Sequence, residues 1–106
     1  MRGRAGVALL LLAAASAAGA GNPSAGRARA LAACAVCHGP DGLSTQPNAP
    51  HLAGQPVFYL IEQLRAYRSG KRQHEVMSVI AKPLSDAEID DLAAWYSSLQ
   101  LRVDLP

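Results

Sequence analysis

The chain has 106 residues, which is room for one small domain. It carries ten Lys and Arg against eight Asp and Glu, a near balance that gives no polybasic footprint for nucleic acid. Its apolar content is concentrated at the front, so the first question is which residues belong to the folded domain.

Arg2 and Arg4 make a positive start, Val7 to Ala18 is apolar and free of charge, and Ala18-Gly19-Ala20 has the small-x-small form of a cleavage site. This is the pattern of a secretory signal peptide over residues 1–20. The apolar stretch is shorter than the roughly 20 residues needed to cross a bilayer, so stable membrane insertion is not expected and an uncleaved anchor is the weaker alternative. Cleavage near Ala20 leaves residues 21–106 as the exported domain. With Arg2 and Arg4 set aside, eight basic and eight acidic residues remain, and the domain is formally neutral.

The spacing predicts a first helix from about Ser24, an N-cap after Pro23, to Val36, with Leu31, Ala32 and Val36 as its apolar stripe. It runs into Cys34-Ala-Val-Cys37-His38, and C-x-x-C-H is the attachment signature of c-type haem. Two thiols three positions apart can add to the two vinyl groups along one porphyrin edge. The histidine that follows is then carried under the iron. A redox dithiol would not require the adjacent histidine, and a zinc knuckle would need a second Cys/His pair, which the chain lacks. Leu31-Ala32-Ala33-Cys34 also has the form of a lipoprotein box, but Gly21 to Arg29 separates it from the apolar stretch, and haem attachment consumes Cys34.

Residues 39–55 hold Gly39, Pro40, Gly42, Pro47, Asn48, Pro50 and Gly54 and read as a long wrapping loop. Lying against a haem face would give such a loop its reason. A second helix follows, with Pro56 at its first position, Phe58, Ile61, Leu64 and Tyr67 on one face, and Gly70 as its stop. A short apolar segment, Val76 to Ala81, precedes Pro83. The last helix opens on a capping box, Ser85-Asp86-Ala87-Glu88, and presents Ile89, Leu92, Ala93, Tyr96 and Leu99 on its apolar face. Four helical segments and no strand period make the domain all-α. Its core is thin, because domains of this size bury only about 60% of their unfolded surface. A covalently held porphyrin would supply the missing apolar centre, so the chain without it is expected to fold poorly.

His38 provides one axial ligand, and His51, His74 and Met77 are the candidates for the other. Met77 is favoured: it is the only methionine after the leader, and it lies on a connecting segment behind Gly70-Lys71-Arg72. His51 and His74 read more simply as loop histidines. Met/His ligation raises the reduction potential relative to two histidines and fills both axial positions, so the centre passes single electrons. Axial histidines hold their second ring nitrogen against an acceptor. The candidate is the carbonyl of Pro50, a residue with no N–H and a fixed backbone. Arg65, Arg68, Lys71, Arg72 and Lys82 precede a crowd of acids at Asp86, Glu88, Asp90 and Asp91. Either these are two solvated faces or they form a dipole that orients a docking partner.

Cys34-Ala-Val-Cys37-His38-Gly39-Pro40-Asp41-Gly42 followed by Pro50-His51-Leu52-Ala53-Gly54-Gln55 resembles the small bacterial class I cytochromes c, nearest to the cytochrome c4/c553 type. Tyr59-Leu60, Gln63-Leu64, Ser69-Gly70-Lys71-Arg72, Val76-Met77-Ser78 and Ala93-Ala94-Trp95-Tyr96 extend the likeness in order. The resemblance implies the class I cytochrome c fold, about four helices around one covalently attached haem c, with the terminal helices crossing. It also implies thioether bonds at Cys34 and Cys37, axial His38 and Met77, and Pro50 as the carbonyl partner of the His38 ring. The implied role is a periplasmic electron carrier, not an enzyme, between a quinol-oxidising complex and a terminal oxidase or reductase. The c4 type usually carries two such domains, and this chain has one. A homodimer, or a haem subunit of a dehydrogenase or oxidase complex, therefore stays open. A haem sensor or peroxidase-like enzyme would require an open sixth position, and hence a Met77 that does not bind.

Overall fold

The computed structural model describes residues 1–12 and 21–106. The expected cleavage site, Ala18-Gly19-Ala20, lies outside the described residues. Five helices follow in order: α1 Pro23–Ala33, α2 Ala35–His38, α3 Val57–Ser69, α4 Met77–Ala81 and α5 Asp86–Ser98. The regular structure among the described residues is entirely helical. None of these helices is long and apolar enough to cross a membrane.

The expected first helix is two. Asn22, not Ser24, caps its start, its side chain accepting the Ala25 N–H at 3.1 Å. Proline prefers the first helical position, so the cap falls on the residue before Pro23. At Cys34 the regular helix is interrupted by a turn whose torsions stay right-handed but with a widened φ (φ −112°, ψ −32°), and its N–H still bonds Ala30 O. The chain restarts at Ala35 as α2.

α1 crosses α5 on a face different from the expected stripe. Gly26 and Ala30 are buried, whereas Leu31 and Val36 are exposed. The reason is close approach: a methyl group at Gly26 would collide with the Asp91 carbonyl and stand 2.9 Å from Trp95 Cβ. Small residues on the seam let the two backbones meet. The contact is tied at its ends by Asn22 N–H donating to Asp91 Oδ1 at 2.7 Å and by an Arg29–Glu88 ion pair.

In α3, Leu60 is buried and Ile61, Leu64 and Tyr67 pack against the core. Phe58, expected on that face, is 81% exposed, and extended Pro56 caps the helix instead of opening it. Gly70 ends α3 in the left-handed conformation (φ 86°), where a Cβ is unfavourable. α5 forms its capping box, buries Ile89, Leu92, Ala93 and Tyr96, and rests Leu99 on the core.

Part of the basic cluster is committed internally. Arg68 donates to Leu84 O at 3.0 Å and to Asp86 Oδ1 at 2.6 Å, joining α3 to α5. Arg72 donates to Gln63 Oε1 at 2.7 Å and lies over the Tyr67 ring, 4.6 Å from its centre.

Candidate functional site

α2 is a single turn, and it carries the whole chemical motif. Cys34 is its cap, Cys37 and His38 close it, and His38 N–H bonds Cys34 O at 3.0 Å. Cys34 and Cys37 are both half-buried and not joined to each other. Among the described residues no group of three Cys, His, Asp or Glu side chains is arranged to hold a metal ion by itself.

His38 is buried, and its ring is oriented by one bond: Nδ1 lies 2.8 Å from the Pro50 carbonyl oxygen. A carbonyl can only accept, so Nδ1 carries the proton and the lone pair is on Nε2, the nitrogen suited to a metal. Met77 is carried by a different element. It is half-buried and opens α4, which packs on α3.

The loop that brings Pro50 to His38 is braced by residues that motif reasoning overlooked. Ser44 Oγ donates to Cys37 O at 2.9 Å, and Gln46 Nε2 donates to Val36 O at 3.1 Å. These are carbonyls at the end of a helix, which have no intrahelical donor. The Leu52 and Ala53 N–H groups both bond Gly42 O, closing the loop at its base. His51 Nδ1 accepts the Ser44 N–H at 2.8 Å, so this histidine is a loop brace. A Ser or Gln a few residues beyond a helix end is the signal that could have pointed to Ser44 and Gln46.

The second wall of the site is α5. Tyr96 is buried beside Cys34, and its hydroxyl makes no well-aligned hydrogen bond. Burial pushes the Cys34 thiol above its usual range, against smaller opposing pulls from the Tyr96 hydroxyl and Arg29. The Tyr96 hydroxyl is likewise raised, first by burial and then by Cys34. A thiol held neutral is a poor redox nucleophile. Two unpaired thiols one helical turn apart, a histidine already in the right tautomer and an apolar wall fit a covalently attached haem c.

The family profile described as Cytochrome c matches residues 23–100. The chain is 44% identical over 77 residues to a cytochrome c4 of Thiocapsa roseopersicina, an alignment that covers 73% of this chain and 40% of that protein. It is 46% identical over 70 residues to a thiosulfate dehydrogenase electron acceptor of Thiomonas intermedia, covering 65% and 32%. In three dimensions it matches reduced cytochrome c4 from Pseudomonas stutzeri with a TM-score of 0.71 and 39% identity, over 76% of this chain and 47% of that one. The chain thus spans less than half the length of these relatives. The haem-attachment turn, the helical frame around it and this likeness agree, and the chain belongs to the cytochrome c family, among its small class I, c4-like members.

Proposed function

We propose that this chain is a monohaem carrier that moves one electron at a time between exported redox proteins. The observation that carries this is the α2 turn, where both thiols and a buried, pre-oriented His38 converge against Pro50. When bound, the haem supplies a one-electron centre. Cys34 and Cys37 would hold it through thioether bonds, and His38 Nε2 and Met77 Sδ would be the donors to its iron. A thioether is a soft donor that would raise the potential relative to imidazole, and an iron held by both side chains would have no ligand position left for substrate. That favours a carrier over a catalyst. Pro50 keeps the His38 ring in one orientation, and Tyr96 excludes water beside Cys34.

The leader pattern of residues 1–20 favours a periplasmic setting after cleavage near Ala20. The resemblance to the c4-type cytochromes favours a quinol-oxidising complex as the donor and a terminal oxidase or reductase as the acceptor. The likeness to a thiosulfate dehydrogenase electron acceptor favours a second reading, in which electrons come from a dehydrogenase that oxidises an inorganic sulfur compound.

The test is the exported, matured protein. Its pigment is expected to survive acid–acetone extraction, and its ferric spectrum to show the weak far-red band of a sulfur–iron bond, lost in Met77→Ala. Extractable pigment would overturn covalent attachment. A band that persists in Met77→Ala would overturn the assignment of Met77.

A further inference from the structure

His74 lies on the connection between α3 and α4, and its hydrogen bonds all turn toward the start of α4. Its Nδ1 accepts the Val76 N–H at 3.1 Å and the Met77 N–H at 3.3 Å. Its own N–H donates to Ser78 Oγ at 2.9 Å, and its carbonyl accepts the Ser78 N–H at 3.0 Å. Val76, the residue at the cap position, has no side-chain acceptor to offer, and the Ser78, Val79 and Ile80 N–H groups already bond backbone carbonyls, so it is the Val76 and Met77 N–H groups that depend on the His74 ring. His74 and Ser78 supply the reciprocal closure that a Ser/Glu pair supplies in an ordinary capping box. A helix of five residues cannot hold its first turn by propagation, so such a brace decides how well Met77 is positioned.

We propose that His74 is a positioning residue for Met77: it fixes the backbone N–H of the methionine and thereby the approach of its sulfur to the iron. The proposal rests on Met77 being the axial donor. Two acceptor bonds to one nitrogen require that Nδ1 be unprotonated and leave the hydrogen on Nε2. His74 acts entirely through its neighbours and touches no reacting atom.

The test compares holoprotein variants by the ferric far-red band and by titration with imidazole, which competes with the methionine for iron. In His74→Ala the band should weaken, and imidazole should bind roughly fivefold more tightly, the equivalent of losing the hydrogen bond that holds the Met77 N–H. His74→Asn, whose side-chain oxygen can accept the same N–H groups, should restore both. Ser78→Ala, which removes only the reciprocal acceptor, should move both readouts in the same direction by a smaller factor. It also serves as the readout should His74→Ala fail to fold. A band and an imidazole affinity unchanged in both alanine variants would overturn the proposal. So would a His74→Asn that behaves like the alanine variant. Met77→Ala is run alongside: if its band persists, the ligand assignment has failed, and the role of His74 falls with it for that separate reason.

Discussion

At the scale of single residues, the site depends on atoms that side-chain chemistry alone does not reveal. The His38 ring is held by a backbone carbonyl, the α2 carbonyls by Ser44 and Gln46, and the start of α4 by a histidine nitrogen. Cys34, Cys37 and His38 were legible because their spacing is itself the chemistry. Ser44, Gln46 and His74 were not, because a capping partner is defined by where a carbonyl or N–H points after folding. Gly26 belongs here too. A side chain at this position meets the Asp91 carbonyl, and backbone cannot move aside as a flexible side chain can. Gly26→Val should destabilise the holoprotein by about 1–3 kcal/mol, as overpacking does. That would lower Tm by roughly 4–8 °C per kcal/mol in a domain of this size. An unaltered thermal melt would show that α1 and α5 do not meet so closely.

At the scale of elements, α5 is the organiser, and its first turn is electrostatic. The Asp86 carboxyl is held below its usual range by the hydrogen bond and charge of Arg68 on α3. The Glu88 carboxyl is held low by the Ser85 backbone N–H and hydroxyl, with a smaller pull from Arg29 on α1. Both carboxylates are thus favoured more in the folded state than in the unfolded one. What they contribute to stability is present above the ordinary carboxylate range and is lost as pH falls through their lowered folded values. Chemical unfolding of the holoprotein should give a level midpoint from about pH 7 to 5 and a decline below the ordinary Asp and Glu values. Asp86→Asn should start lower at neutral pH and decline less steeply. Parallel declines would show that the α3–α5 pair adds nothing, as holds for many exposed ion pairs. The capping box and the Gly70 stop were readable from sequence, since each is closed within a few residues. The buried faces of α1 and α3 were not, because a weak stripe becomes a seam only through what packs on it. The same holds for Arg68 and Arg72, which read as surface charge but are spent on α5 and on α3 itself.

At the scale of the whole molecule, the core is too small to account for a stable domain. Four of its buried apolar residues are alanines, Ala30, Ala53, Ala81 and Ala93, while Phe58, Val76 and Val79 remain exposed. Conformational entropy of about 1–2 kcal/mol per ordered residue has to be offset, and these side chains offset little of it. A Cys34→Ala/Cys37→Ala protein produced without haem should therefore show weak helical circular dichroism and no cooperative melt, whereas the holoprotein should melt sharply. A cooperative transition in the haem-free protein would show that the polypeptide core suffices. The sequence by itself determined the cofactor class, the helical character of the domain and the ends of its best-capped helices, because these rest on local spacing. Only the tertiary structure decided that the first helix breaks at Cys34, that Gly26 and not Leu31 meets α5, and that His74 braces α4. Each of those depends on surfaces and backbone groups that find one another only once the chain has closed on itself.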